Sequence, residues 1–383
     1  MEVKNNINVW DKNVAIEESR YYWNDKPVID KCSFTSSSKL KVAELFCGCG
    51  GLSKGFEMAG CDIILGADIH RPSIETFKYN HHNASTILGD LRKVTDDVLK
   101  NAIDNAKIDI MVAGVPCQGF SLNNRKRNEN DSRNYLFKDF VRHVKALNPK
   151  VVVLENVSGM KAAKNGCFVE SIKSELRDAG FRYVDCKMLN AADYGVPQVR
   201  NRLVFVGFRV PCAFTWPVVM YGPKTGKPYR TVLDAIGDLP MVKAGESTSE
   251  YVMKPFTKYQ KEMRGKLNTL FNHEAPNHPQ ETILKIGSTK PGQPMYPAFR
   301  QRIRLSYNKP CPTQVSGGIR PQFQFGHPSI ARGLTIRERC RIQSFPDNYV
   351  IMGGLVQGRV QTGNAVPPLM AKAIAKAIKK TLT

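Results

Sequence analysis

Ten cysteines occur in this 383-residue chain, and one of them, Cys117, stands where a nucleophile would be expected. The stretch Asp109 to Ser121, DIMVAGVPCQGFS, opens with a short β-rich apolar run, Ile110 to Val112. Gly114, Val115 and Pro116 then break the strand pattern and leave the thiol at the carboxyl end of that strand. In open α/β sheets this edge is where ligands bind, and a polar run, Gln118 to Asn124, follows it. On position alone, a small buried hydrophobe is the competing role for a free cysteine. Two more places present chemistry in the same way. The run KVVVL, Lys150 to Leu154, reads as a buried strand and delivers Glu155, Asn156 and Val157 at its end; partial burial there raises a carboxyl pKa and makes the group a proton donor. In Gln198 to Arg202, the two arginines Arg200 and Arg202 share one face of an extended chain, so both can address one anion or one base carbonyl.

The elements that must position these groups alternate strand and helix. Lys41 to Gly60, KVAELFCGCGGLSKGFEMAG, reads as a strand over 42–46, a tight turn at Gly48, Gly50 and Gly51, and a helix over 52–59 that stops at Gly60. Glycines there let the backbone come close to a ligand, and the helix start offers free N–H groups to it. Cys47 and Cys49 within the turn read as packing residues. The next strand, 62–67, ends at Asp68, an acid well placed for ribose hydroxyls, and Gly89-Asp90 ends a third unit. Two carboxylates, a glycine turn and the absence of a phosphate-binding lysine motif fit a nucleoside ligand better than a dinucleotide, and point to S-adenosylmethionine. Helices are predicted over 136–146 and 169–179, and a strand over 203–208.

Composition bounds the setting. With 42% hydrophobic residues the chain can bury a substantial core, and 56 Lys plus Arg against 34 Asp plus Glu gives a net charge of +22, which favours a polyanionic partner, nucleic acid first. The sequence holds no apolar run long enough for a membrane span and no basic amphipathic helix. No secretory signal opens it. The cysteines are scattered without a CxxC pair, which supports neither a disulfide framework nor a metal site and fits a cytoplasmic, nucleoid-associated protein. Residues 1–40 read as a polar, loosely attached arm whose Trp10, Tyr21, Tyr22 and Trp23 have two uses, stacking on bases or docking on the protein's own surface, of which docking is the commoner. Residues 211–320 differ from their surroundings: they hold 13 of the 23 prolines and 16 basic against 7 acidic residues, net +9 by subtraction, so long helices are not expected there.

Taken in order, these pieces resemble the cytosine-5 DNA methyltransferase family of bacterial type. The resemblance covers about 41–208 and 326–377. It is carried by Phe46 to Gly51, Asp68, Gly89-Asp90, Pro116-Cys117-Gln118, Glu155-Asn156-Val157 and Gln198 to Arg202, then by RGLTIRERCRIQSFPD (Arg332 to Asp347) and QTGNAVPP (Gln361 to Pro368). It implies a Rossmann-like α/β methyltransferase domain at 41–210, a small loop-rich target-recognition domain at 211–325, and a C-terminal part, 326–383, that returns to the catalytic domain. In that last part Met370, Ile374 and Ile378 give the final helix a core face and bring Asn364 back beside the first glycine turn.

What the resemblance implies for the site is specific. Cys117 adds to C6 of a flipped-out cytosine, which solves the problem that C5 is otherwise too weak a nucleophile to attack a sulfonium methyl. Glu155 protonates or hydrogen-bonds N3, and Arg202 with Arg200 binds O2 and a neighbouring phosphate. Phe46, Gly48, Gly50, Asp68, Asp90, Pro116 and Asn364 line the donor pocket, together with the adjoining Gly51, Leu52, Ile69, Leu91 and Ala365. Duplex DNA is met by Gln118, Ser121, Arg125, Arg127 and Arg133 in a closing loop, and by Arg302, Arg304 and Arg320 as base readers of a G/C-rich, GGCC-like site. Asp68 stands where the family often has glutamate. The product is S-adenosylhomocysteine, the enzyme is a monomer, and a separate restriction endonuclease is a candidate companion. Two rivals share the scaffold: a transfer-RNA cytosine-5 methyltransferase, and an inactive DNA-binding protein. Ser121 with the long insert speaks against the first, and intact Cys117, Glu155 and Arg202 against the second.

Overall fold

Short runs of β-branched and aliphatic residues build one eight-stranded sheet: β1 (Val28–Asp30), β2 (Lys41–Leu45), β3 (Asp62–Asp68), β4 (Ser85–Leu88), β5 (Ile110–Gly114), β6 (Val151–Val157), β7 (Tyr183–Asn190) and β8 (Asn201–Phe208). The computed structural model describes residues 26–33, 38–116, 135–160, 166–316 and 324–382. The strand order is β1-β4-β3-β2-β5-β6-β8-β7. Strands β4, β3, β2, β5 and β6 are parallel, β8 is antiparallel to both of its neighbours, and β1 is antiparallel to β4. From β2 the chain winds outward through β3 and β4, then returns to the other side of β2 with β5. The order therefore reverses between β2 and β5, and the carboxyl ends of those two strands flank the crevice where such sheets bind ligands.

Both faces of the parallel part are covered, which is why its strands are mostly apolar rather than alternating. On one face Ala43, Met111 and Val152 pack under helices α3 (Asp96–Ala102), α4 (Leu136–Leu147) and α5 (Cys167–Asp178). On the other, Val42, Val112 and Val153 pack under α1 (Gly51–Met58) and α2 (Arg71–Asn80). The strands and helices expected over these segments are present, with ends shifted by up to three residues. Two strands lacked a legible signal. β7 lies at the sheet edge, half exposed and with polar residues on both faces. β1 belongs to the segment expected to be a loose arm: Val28 pairs with Leu88, and a Cβ on Gly89 would come within 2.9 Å of Pro27. Its three residues are too few to show a pattern.

Beyond β8 the chain first stays on the sheet: Phe214 and Trp216 join the core beside Phe208, and the Trp216 indole N–H donates to Asp185 (2.7 Å). Among its described residues the insert then forms only short helices, α6 (Val232–Ile236), α7 (Lys258–Arg264) and α8 (Gln280–Ser288), and a two-residue parallel pair, β9 (Ile303–Arg304) with β10 (Phe325–Gly326). Its core, with Val232, Ile236, Tyr259 and Met263, continues into Leu334 and Ile342. Those last residues belong to the segment around α9 (Ile336–Ile342), which is followed by α10 (Gly354–Asn364) and α11 (Pro368–Leu382). α11 buries Met370, Ile374 and Ile378 against the face that carries α1. Among the described residues no helix is long and apolar enough to cross a membrane.

Candidate active site

Strand β5 ends at Gly114, which pairs in register with Glu155 of β6. Two groups converge on this strand end: a Cβ at Gly114 would lie in ordinary contact, 3.7 Å from Glu155 Oε2 and 3.8 Å from the carbonyl oxygen of Phe46. The end of β5, the acid on β6 and the turn after β2 thus meet at one point. Glu155 is 8% exposed and pairs with Arg202 of the antiparallel β8, Nε to Oε1 at 2.7 Å. Burial pushes the Glu155 carboxyl above its usual range, and Arg202, then Arg200, pull it part of the way back. Pro116 lies two residues past β5, and Cys117 follows it outside the described residues, as do Gln118, Ser121, Arg125, Arg127, Arg133 and Arg320.

The turn after β2 is strained in a way that opens it to a ligand. Phe46 has φ +53° and Gly48 φ +51°, the left-handed region that costs a side-chain-bearing residue about 1–2 kcal/mol. A Cβ on Gly48 would meet nothing within 4 Å, so the turn faces free space. Its N–H donates to Asp68 Oδ2 (2.8 Å), and the His70 N–H donates to Asp68 Oδ1 (2.8 Å). A carboxylate has about four acceptor positions, so a hydroxyl pair can still be accepted here. Open backbone beside an acid that retains acceptor capacity fits the nucleoside end of S-adenosylmethionine. Ile69 follows Asp68 at the same strand end and is half-buried.

The other two glycines of the turn are required by close packing, whatever their backbones offer a ligand. A Cβ on Gly50 would strike the Tyr349 hydroxyl at 2.6 Å and Phe77 at 2.9 Å, and one on Gly51 would strike the Val366 carbonyl at 2.2 Å. This approach seats 364–366 beside the turn, with Asn364 exposed at the end of α10. Leu52, Leu91 and Ala365 are buried in the core, so only their backbones are available to a donor. Asp90 is engaged by Arg92, whose Nη2 lies 2.6 Å from Oδ2. Cys47 and Cys49 are buried, and burial raises both thiols.

Two arginines have other work than the sequence assigned them. Arg200 is 1% exposed; its Nη1 donates to the Gln314 carbonyl (2.8 Å) and its Nη2 to the carbonyls of Gly363 (2.8 Å) and Asn364 (3.4 Å). It lies one residue before β8, its two terminal nitrogens are taken by backbone carbonyls, and its buried Nε has no hydrogen-bond partner among the described residues. Arg304 is 9% exposed and donates to the carbonyls of Ile286, Gly287 and Thr289 at the end of α8 and to that of His327. Its Nη1 holds a helix terminus and its Nε reaches His327, which leaves Nη2 alone without an acceptor among the described residues. Arg302 is half-buried, with its guanidinium over the Phe299 ring at 4.5 Å.

Sequence reasoning passed over one acid of the site. Glu44, the single polar residue in the middle of β2, is 2% exposed; it accepts from the Ser53 N–H (2.8 Å) and hydroxyl at the start of α1. Burial pushes its carboxyl up to about 8. An acid inside an apolar strand just before a glycine turn was the available signal.

With this geometry, comparison with known proteins is decisive. A family model described as C-5 cytosine-specific DNA methylase matches residues 40–380. The chain belongs to that family. It is a DNA cytosine-5-methyltransferase. The methyltransferase is similar to the type II methyltransferase M1.HphI of Haemophilus parahaemolyticus, 36% identical over 356 residues that cover 90% of this chain and 88% of the relative. M.DdeI of Desulfomicrobium norvegicum, also a type II methyltransferase, is 35% identical with 88% of both chains covered. A prophage-encoded E. coli protein described as a DNA modification methyltransferase superimposes with a TM-score of 0.75 at 26% identity, over 90% of this chain and 99% of that one. The Dnmt2 methyltransferase of S. pombe shares the fold at 16% identity, with a TM-score of 0.58 over 90% of this chain and 98% of that one.

Proposed function

We propose that the methyltransferase transfers a methyl group from S-adenosylmethionine to C5 of a cytosine flipped out of a specific duplex DNA site, through a covalent bond between Cys117 and C6. The observation that carries the reading is the buried Glu155–Arg202 pair, 2.7 Å apart, over the strand end that leads to Cys117. Glu155 in its protonated form donates to N3 and Arg202 donates to O2, which draws electrons from the ring and opens C6 to the thiolate. As the sulfur–C6 bond forms, C5 gains the electron pair with which it takes the methyl group. Loss of the C5 proton then lets the C6–sulfur bond break and returns the thiolate. When bound, S-adenosylmethionine supplies an electrophilic methyl group on a sulfonium sulfur; Gly48 and Asp68 hold its nucleoside end. Extruding the base costs a few kcal/mol, which the cationic loop around Arg125, Arg127 and Arg133 offsets through phosphate contacts.

In this reading residues 41–210 and 326–383 form the catalytic unit, and 211–325 reads the DNA, with Arg302 and Arg320 addressing guanines of a G/C-rich site. The enzyme is of the type II restriction-modification kind, with a nuclease of the same specificity acting separately. The test uses duplex substrate with 5-fluorocytosine at the target, from which the C5 substituent cannot leave as a proton. The parent is expected to form a stable protein–DNA adduct, and Cys117→Ala none. Methyl transfer to ordinary DNA by Cys117→Ala above a tenth of the parent rate would sink the covalent mechanism.

A further inference from the structure

The stretch from Cys311 to Ser316 leaves the insert as a strap laid across two parts of the catalytic unit. At one end it runs beside the segment before β8: the Cys311 N–H donates to the Pro197 carbonyl (3.0 Å) and the Val199 N–H to the Cys311 carbonyl (2.8 Å). At the other it presses on the end of α10, where a Cβ on Gly363 would come within 2.3 Å of the Ser316 nitrogen and the Val315 carbonyl carbon. Arg200 ties both contacts together, donating to the strap at Gln314 and to the donor edge at Gly363 and Asn364. Buried side-chain amides run alongside: the Gln314 N–H donates to Gln198 Oε1 (2.9 Å), Gln198 Nε2 to Gln343 Oε1 (2.6 Å), and Gln343 Nε2 to the carbonyls of Thr362 (2.7 Å) and Ala365 (3.0 Å). Gln198, Gln314 and Gln343 are each 0% exposed.

We infer that Arg200 is a positioning residue that couples DNA engagement by the insert to methyl-donor binding at the Gly363–Asn364 edge; this rests on the functional reading above, which has the insert read the DNA, and on the resemblance, which puts Asn364 in the donor pocket. A desolvated guanidinium is costly to leave unpaired. A shift of the strap when DNA seats therefore pulls the 363–364 backbone with it rather than breaking the fork. The same linkage acts in reverse, because a coupling between two sites is reciprocal.

Calorimetry of S-adenosylhomocysteine binding to the full chain, with and without the duplex that bisulfite sequencing identifies as its methylated site, measures the coupling directly. The parent is expected to bind S-adenosylhomocysteine on the order of tenfold more tightly with the duplex than without it. Arg200→Lys keeps a charge but cannot span three carbonyls, and Gln198→Ala takes away the acceptor of the Gln314 N–H, which loosens the strap without touching Arg200 or the 363–364 edge. Each should bring the factor down towards one while S-adenosylhomocysteine alone binds nearly as before, a split that general loosening of the fold would not produce. Should Arg200→Lys fail to fold, Gln198→Ala decides. Undiminished coupling in the folded variants overturns the inference, and so does a parent that binds both ligands independently. A parent that binds no S-adenosylhomocysteine at all would instead overturn the placement of the donor.

Discussion

Arginines of one sequence type part company once their surroundings are known. Arg202 faces the acid of the site, Arg200 clasps three carbonyls and Arg304 closes the end of α8. Removing Arg304 takes a donor from the carbonyls of Gly287, Thr289 and His327, while Ile286 keeps the Thr289 N–H, so Arg304→Ala is expected to lower stability by roughly 1–3 kcal/mol and weaken binding to all DNA sequences alike. Arg302→Ala should instead relax preference at one position of the site. Urea denaturation together with bisulfite profiles of the two variants separates these outcomes, and a changed site preference in folded Arg304→Ala would return that residue to the base-reading set.

Glu44 gives the residue scale a pH signature. Its folded pKa, about 8, is raised above the unfolded value, so its contribution to stability is fully present below the ordinary carboxylate range. That contribution is lost as pH rises through about 8, at up to about 1.4 kcal/mol per pH unit. Glutamine mimics the neutral acid and does not titrate. The melting temperature of Glu44→Gln minus that of the parent is therefore expected to grow between about pH 5 and pH 8. A difference that stays constant over this range would mean that the folded-state pKa of Glu44 is not raised, its carboxylate being as ionised in the folded protein as in the unfolded chain.

At the scale of elements, glycines decide how closely α1 approaches its neighbours. A Cβ on Gly55 would lie 2.3 Å from Ala371 Cβ and 2.5 Å from the Pro368 carbonyl, so the α1–α11 contact exists only because nothing projects there. Alanine is the better helix former by about 1 kcal/mol, yet Gly55→Ala is expected to destabilise by roughly 1–3 kcal/mol through overpacking. Gly48→Ala meets open space and costs only its backbone strain, about 1–2 kcal/mol, but should weaken S-adenosylmethionine binding more than Gly55→Ala does. Chemical denaturation and donor titration of the pair check the order; equal effects on binding would remove Gly48 from the donor site.

Across the whole molecule, the insert is joined to the C-terminal part by buried charge as well as by a shared apolar core. Arg341 bridges Asp238 of the insert and Asp347 (Nη1–Oδ1 3.1 Å and Nη2–Oδ2 2.7 Å), and the Tyr251 hydroxyl donates to the same Asp347 (2.6 Å). Arg332 pairs with Glu338. These fully buried arginines face acids inside the protein, so the excess of positive charge that attracts DNA resides on other residues. Asp347→Ala strips a partner from Arg341 and Arg337 at once, and a loss of about 3–5 kcal/mol is expected from a broken buried pair. The denaturation midpoint measures it; a loss below about 1 kcal/mol would show that Asp238 suffices to hold Arg341.

The sequence by itself determined the α/β frame and the order of its functional segments. Apolar runs such as Ile110–Val112 and Val151–Leu154 have one economical use, as strands covered on both faces, and the residues that follow them must emerge at the same sheet edge. Glu155, Asp68 and the turn after Phe46 were legible for that reason. Tertiary structure alone decided what each polar side chain finds when it arrives. Arg200 and Arg202 are two residues apart and chemically identical, but one enters a crevice lined by backbone carbonyls from residues more than a hundred positions away, while the other meets Glu155 across the β6–β8 pair. The three glycines of the turn divide in the same way, since Tyr349 and Val366 crowd two of them from the far end of the chain. Local pattern fixes where a residue leaves its strand or turn; which partner satisfies it depends on non-local packing, and burial makes that choice costly to change.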